Sequence, residues 1–113
     1  TIRIPNAVTF LVQKLLIHSD RPPAKKAQDI LYIHDTLDLF GASLGDLRGQ
    51  WQETVRPALS PRTATRAMTI ASDLFAAVTD PIREAARIPQ DRSLRAEHVR
   101  VACERGLEQM FSG

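Results

Sequence analysis

The chain has 113 residues, of which 43 % are hydrophobic and 25 % are charged, and its formal net charge is +2 at pH 7. This length fits one domain with one hydrophobic core, no run approaches the roughly 20 apolar residues of a membrane span, and the small net charge is weak support for a nucleic-acid-binding protein. The single cysteine, Cys103, excludes an internal disulfide and a cysteine-clustered zinc site, so we expect a cytoplasmic protein in a reducing compartment.

Residues 1–4 alternate polar and apolar side chains, which predicts a short strand or an extended lead-in. A single strand cannot satisfy its own backbone groups, so its partners would lie on another chain or on a part of the protein outside this sequence. We expect residues 1–113 to form a single helical domain; that it is the C-terminal part of a longer chain is implied only by the family resemblance given below.

The next two predicted helices are separated by a proline-broken corner. Pro5 suits the first turn of a helix that runs to about His18. Pro22-Pro23 then stops a continuous helix, and a second helix is predicted from about Ala24 to Phe40, where Gly41 is well placed to end it. The apolar side chains at helical spacing are Ala7, Phe10, Leu11, Val12, Leu15 and Leu16 in the first helix, and Ala27, Ile30, Leu31, His34 and Leu37 in the second.

The middle of the chain predicts two more helices. Ser43 and Asp46 resemble a capping box that opens one helix, and we expect Pro57 to close it. Ser60-Pro61 combines an N-cap residue with a first-turn proline and predicts a helix that extends to Val78.

In the last third, Asp80-Pro81 is a start signal for a short helix predicted from Ile82 to about Arg87, and a further helix is predicted over residues 95–111. Each predicted helix has one apolar face, and that face must be buried against a neighbouring helix. The predicted fold class is therefore all-α, a compact bundle of five to six helices with a short extended N-terminal lead-in.

Common catalytic signatures are absent from the sequence: it contains no phosphate loop, GxGxxG turn, HExxH pair or serine nucleophile elbow. The histidines, His18, His34 and His98, lie on three predicted helices and could converge on a metal, although boundary positions of amphipathic helices are commoner for histidine. The arginines of the last third alternate with acidic residues, which favours a solvated face with ion pairs over a nucleic-acid-binding surface.

The corner between the first two helices carries all three lysines of the chain, Lys14, Lys25 and Lys26, together with Arg21. Ammonium groups suit a phosphate as point charges, and the backbone N–H groups at the start of the second helix add positive potential. Asp29 lies one turn beyond Lys25. Such a lysine and aspartate set can hold a triphosphate or a metal, and it can equally form a structural ion pair, which the residues alone favour.

The string IPNAVTFLVQKLLIHSDRPPAKKAQDILYI resembles the C-terminal part of minimal nucleotidyltransferase-like proteins, a superfamily that includes AbiEii-type toxins and related bacterial proteins. Their typical pattern is an F-x-x-x-K-L helix, a loop with a basic residue, and a helix with K-x-x-D. The matching residues here are Phe10, Lys14 and Leu15, then Arg21, then Lys25 or Lys26 with Asp29. The resemblance implies that Lys14 contacts the phosphates of a nucleotide and that Asp29 supports the site.

The defining motif of that superfamily, a Gly-Ser turn followed by paired aspartates that bind two metal ions, is missing from the sequence. The resemblance therefore implies an upstream catalytic domain that supplies these carboxylates, with Mg²⁺ and a nucleoside triphosphate bound in the longer parent and no transfer activity in these residues alone. The competing interpretation is an autonomous helical interaction module in which Trp51, Phe75 or Phe111 anchors a protein partner. A nucleic-acid-binding helical domain is a weaker third possibility.

Overall fold

Six α-helices build the part of the chain that the computed structural model describes, residues 7–112. Their bounds are α1 (Ala7–Ile17), α2 (Pro23–Leu39), α3 (Leu44–Gln50), α4 (Pro61–Leu74), α5 (Asp80–Arg87) and α6 (Ala96–Phe111). The predicted all-α bundle of five to six helices is confirmed. The predicted strand or extended lead-in at residues 1–4 lies outside the described residues.

The corner between α1 and α2 is sharper than a simple helix break. A 3₁₀ turn, His18–Asp20, follows α1 directly. Arg21 and Pro22 are then extended, with ψ angles of 144° and 155°, as expected because each precedes a proline ring that disfavours the α conformation. Pro23 opens α2 at a position where its missing N–H group costs nothing.

The predictions around α3 hold only in part. Ser43 is the N-cap of α3, as predicted, but it makes no side-chain cap hydrogen bond, so the predicted capping box does not form. The second helix ends at Leu39, shortly before Gly41 as predicted, although Gly41 has no positive φ and is not a left-handed cap residue. Pro57 does not close the helix, because a π-helical turn, Trp51–Val55, follows α3 and leads into one further α-helical turn that contains the proline.

The π-helical turn explains how the chain passes Pro57. The Arg56 N–H donates to the carbonyl of Trp51, five residues back, so the turn is wider than an α-turn. A proline ring ordinarily clashes with the carbonyl four residues before it, and a wider turn relieves that clash for one more turn. The backbone then leaves the helix at Leu59, which is extended.

The predicted starts of α4 and α5 are confirmed. Ser60 Oγ accepts a hydrogen bond from the Thr63 backbone N–H at 3.1 Å, so Ser60 is the N-cap of α4. The predicted end of α4 at Val78 is wrong, because the helix ends at Leu74. Phe75 turns into the core there, and its carbonyl accepts a hydrogen bond at 3.1 Å from Arg100 Nη1 on α6, which satisfies a carbonyl at the helix end.

The hydrophobic core lies between the helices, with α2 packed against both α5 and α6. Its largest fully buried side chains are Trp51, Phe75, Leu11, Leu15, Ile30 and Ile33. Trp51 and Phe75 are 0 % exposed and Phe111 is 8 % exposed, so the proposal that they anchor a partner is wrong. These rings fill the core instead. Within residues 7–112, no helix is long and apolar enough to cross a membrane.

Gly106 marks the closest approach of α6 to α2 and generates a stability prediction. A Cβ atom at this position would lie 2.9 Å from Leu37 Cδ1, whereas a Cβ at Gly49 of α3 would meet nothing within 4 Å. We expect Gly106→Val to lower the free energy of unfolding by about 1–3 kcal/mol, because it overpacks the α2–α6 contact. Gly49→Ala should instead raise it by up to about 1 kcal/mol through helix propensity. Urea denaturation of both variants checks this, and equal effects would contradict the packing described.

Candidate functional site

The α1–α2 corner brings together three of the four residues that the sequence assigned to a site. Lys14 Nζ lies 3.0 Å from Asp29 Oδ1, and Arg21 Nε lies 2.9 Å from Asp29 Oδ2. Arg21 Nη2 also donates to Asp29 Oδ1 at 3.4 Å. One carboxylate therefore binds two cations, each from a different segment of the corner.

Each member of this cluster is positioned by the local backbone. Lys14 lies in the last turn of α1, and Arg21 follows the 3₁₀ turn, where its N–H donates to the carbonyl of His18 at 3.2 Å. Asp29 is in the second turn of α2 and faces back across the corner. Pro22 and Pro23 fix the extended backbone between the two helices. The positions of Lys14, Arg21 and Asp29 along the chain then bring their side chains together.

Burial within the cluster is strongly asymmetric. The Asp29 side chain is 1 % exposed, whereas Lys14 is 17 % and Arg21 is 31 % exposed. A buried carboxylate without a cation is costly, so both bases stabilise the fold. An ammonium has three donors and a guanidinium five, and the hydrogen bonds to Asp29 use only part of them. Both cations therefore keep donors directed toward solvent or a ligand.

Lys25 and Lys26 add positive charge at the start of α2. Lys25 is exposed, and Lys26 is partly buried, with its N–H donating to the carbonyl of Pro22 at 2.9 Å. Burial lowers the pKa of His18, which Lys26 lowers further and Asp29 opposes. His18 Nδ1 is buried without a hydrogen-bond partner among the described residues. By formal charge, the four basic residues Lys14, Arg21, Lys25 and Lys26 outnumber the two acidic residues of the corner, Asp20 and Asp29.

Two exposed aromatic residues border the cluster, and the sequence reasoning misplaced one and omitted the other. Phe10 was predicted on the buried face of α1 but is 37 % exposed, and Tyr32 on α2 is 55 % exposed. Their ring centroids are 6.1 Å apart at 86°. Lys14 Nζ lies 5.2 Å from the Phe10 centroid and 5.7 Å from the Tyr32 centroid, within cation–π range. Phe10 and Tyr32 lie one turn from Lys14 and Asp29, a spacing that could have revealed the pair.

The three histidines, whose convergence on a metal the sequence left open as the less common alternative, do not gather at one place. His34 and His98 do meet, with ring centroids 6.1 Å apart. His34 Nδ1, however, lies 3.0 Å from Asp35 Oδ1, and Asp35 is bound by Arg92. Across residues 7–112, no three histidine, cysteine or acidic side chains are grouped so that they could hold a metal ion.

Two surface cavities lie away from the corner. A groove of about 450 Å³ between α4 and α6 is lined by Met68, Leu107 and Phe111 with Glu104 and Glu108 at its edge. A smaller cavity of about 180 Å³ contains His34 and His98. Neither is lined by Lys14, Arg21 or Asp29, and within that cluster only the two basic side chains are partly exposed.

Arg100 of α6 forms the two ion pairs that its spacing from Glu97 and Glu104 predicts. Arg100 Nη2 lies 2.6 Å from Glu97 Oε1, and Arg100 Nη1 lies 3.2 Å from Glu104 Oε2. Arg83 and Arg87 on α5 pair in the same way with acidic residues three positions before them. These pairs neutralise the face that a nucleic-acid-binding helix would need to keep basic.

No protein-family model matches the chain, and neither a curated protein nor a solved structure matches it.

The burial asymmetry predicts non-additive effects on stability. Lys14→Ala or Arg21→Ala alone leaves Asp29 one cation, and each should lower the free energy of unfolding by about 1–2 kcal/mol. The double variant leaves the buried carboxylate of Asp29 without a cation and should lower the free energy of unfolding by more than the two single losses added together. Lys25→Ala removes an exposed lysine and should change it by less than about 0.5 kcal/mol. A urea double-mutant cycle tests this; strictly additive losses would mean that the cations do not share Asp29.

Proposed function

We propose that this chain is the helical C-terminal domain of a nucleotidyltransferase-like protein, and that its α1–α2 corner contacts the phosphates of a bound nucleotide. The observation that carries the proposal is the binding of both Lys14 and Arg21 to the buried carboxylate of Asp29. These are the positions at which the resemblance expects a phosphate-contacting lysine, a basic loop residue and a supporting aspartate.

The chemistry of the corner supports this role. Asp29 holds the two cations in fixed places before any ligand binds. Charges that are already in place cost little free energy of reorganisation when a ligand binds. The hydrogen bonds to Asp29 leave donors on both side chains for phosphate oxygens. Lys25 and the first N–H groups of α2 extend the positive region.

The described residues supply no set of side chains for the catalytic metals. Asp29 has both oxygens bound to cations, so it supports the bases and does not coordinate Mg²⁺ in this arrangement. Nucleotide transfer needs paired carboxylates that activate the attacking hydroxyl and neutralise the triphosphate. In this proposal an upstream domain of the same cytoplasmic protein provides them, and residues 7–112 contribute phosphate contacts.

The rival candidate is a helical interaction module in which the cluster only locks α1 to α2. The 1 % exposure of Asp29 favours it, because a carboxylate that needs two cations for burial is also a common structural device. Phe10 and Tyr32, which are exposed, would then be the partner-facing aromatic residues in place of the buried Trp51 and Phe75.

The coding sequence upstream of Thr1 separates the two candidates at the least effort. We expect it to encode a Gly-Ser turn followed by two nearby aspartates, because the resemblance implies that the metal-binding carboxylates needed for nucleotide transfer lie upstream. A start codon directly before Thr1 would remove the nucleotidyltransferase interpretation and leave the interaction module.

Nucleotide affinity of the full-length protein provides a second test. Lys14→Ala should weaken binding of a nucleoside triphosphate roughly tenfold or more, the effect of losing a charged hydrogen bond, when measured by calorimetry well below the melting temperature. Arg62→Ala, which removes an exposed arginine on α4 away from the corner, is the matched control and should leave affinity unchanged. If Lys14→Ala lowers the melting temperature while affinity stays the same, the cluster is structural only.

A further inference from the structure

We propose that Phe10 and Tyr32 form an aromatic platform in which Tyr32, the more exposed ring, stacks on the base of the bound nucleotide while Phe10 meets Tyr32 edge to face at 86°, so that the site selects nucleoside triphosphates over inorganic polyphosphate. This inference rests on the proposed function and names the substrate class of the same site. Phe10 and Tyr32 are exposed beside the cationic cluster, and neither the packing of the helices nor the core explains why these two rings are exposed.

The platform and the charged cluster are consecutive levels of one helical hairpin. Lys14 on α1 meets Asp29 on α2, and one turn farther from the corner Phe10 meets Tyr32. One turn of helix advances about 5.4 Å. A ribose separates the base of a nucleotide from its α-phosphate by a comparable distance. A triphosphate at the cationic level would therefore bring the base to the aromatic level.

The exposure of the two rings is selective. Trp51, Phe75 and Phe111 are buried, whereas Phe10 is 37 % and Tyr32 is 55 % exposed. Aromatic rings stabilise a fold or a complex most when their area is removed from water. Two adjacent exposed rings therefore offer apolar area that a ligand can still bury. A planar apolar ligand that also carries negative charge uses both levels at once.

Lys14 links the two levels. Its ammonium lies over both rings, 5.2 Å from the Phe10 centroid and 5.7 Å from the Tyr32 centroid, while Asp29 binds it at 3.0 Å. These contacts restrict the rings in the unliganded protein and leave much of their surface exposed. A restricted platform loses less conformational entropy when a base stacks on it.

Stacking also predicts the pattern of specificity. Every base has a π-face, so an aromatic platform tolerates all of them and distinguishes them only by stacking strength. Phe10 offers no hydrogen-bonding group to read a base edge, and Tyr32 offers one hydroxyl. The site should therefore prefer purines moderately over pyrimidines and should not separate adenine from guanine.

The test compares ATP, CTP and inorganic triphosphate on the full-length protein in the presence of Mg²⁺, by titration calorimetry. Tyr32→Leu should weaken ATP binding roughly fivefold or more, the magnitude of one lost base–aromatic stack, and should leave inorganic triphosphate affinity unchanged. Tyr32→Phe keeps the ring and should retain ATP affinity. Leu39→Ala, which alters another exposed apolar residue of α2, is the matched control and should change neither ligand.

The outcomes separate this inference from the function on which it rests. If ATP and inorganic triphosphate bind equally and Tyr32→Leu affects neither, the stacking platform is overturned and the phosphate site remains. If neither ligand binds the unaltered protein, both proposals fall. A parallel loss of both ligands in Tyr32→Leu, with a lowered melting temperature, would assign Tyr32 a purely structural role and would also overturn the platform.

Discussion

The burial of one carboxylate constrains the entire first third of the molecule. Asp29 is 1 % exposed on a helix whose neighbouring positions fill the core, so its charge must be compensated within the protein. Lys14 compensates it from α1 and Arg21 from the connecting segment. This interaction limits how far α1 and α2 can separate, because Lys14 on α1 must reach Asp29 on α2. The proline pair at residues 22 and 23 makes that approach possible by fixing the step between the helices.

The same interaction gives the corner its chemical character and limits it. Asp29 cancels one of the two positive charges that it positions, so the cluster attracts an anion less strongly than two isolated cations would. In return, Asp29 fixes the positions of Lys14 and Arg21, whose side chains are partly exposed and have N–H groups that are not bonded to Asp29. In the proposed function, affinity then depends on several modest contributions: Lys25, the start of α2, the aromatic pair, and metal-bound carboxylates elsewhere in the protein.

The remaining helices act as the support for α2, which carries Asp29 and Tyr32. α2 packs against α5 and α6, and the contact with α6 is close enough that Gly106 faces the Leu37 side chain without a Cβ of its own. The π-helical turn that follows α3 places Trp51 fully in the core, where its ring meets Phe111 edge to face at 4.8 Å. Rigid support behind one hairpin is what a preorganised surface site requires.

The sequence by itself determined that the chain is helical and where α2, α4 and α5 start, since Pro23, Ser60 and Pro81 act through the backbone of their own first turns. It also placed the basic and acidic residues of the corner near one another. Only the tertiary structure decided that the helix continues past Pro57, because a widened turn is accepted where core packing favours it. It likewise decided that Phe10 stays exposed, since a periodic pattern marks a face as apolar but cannot show where the neighbouring helices end.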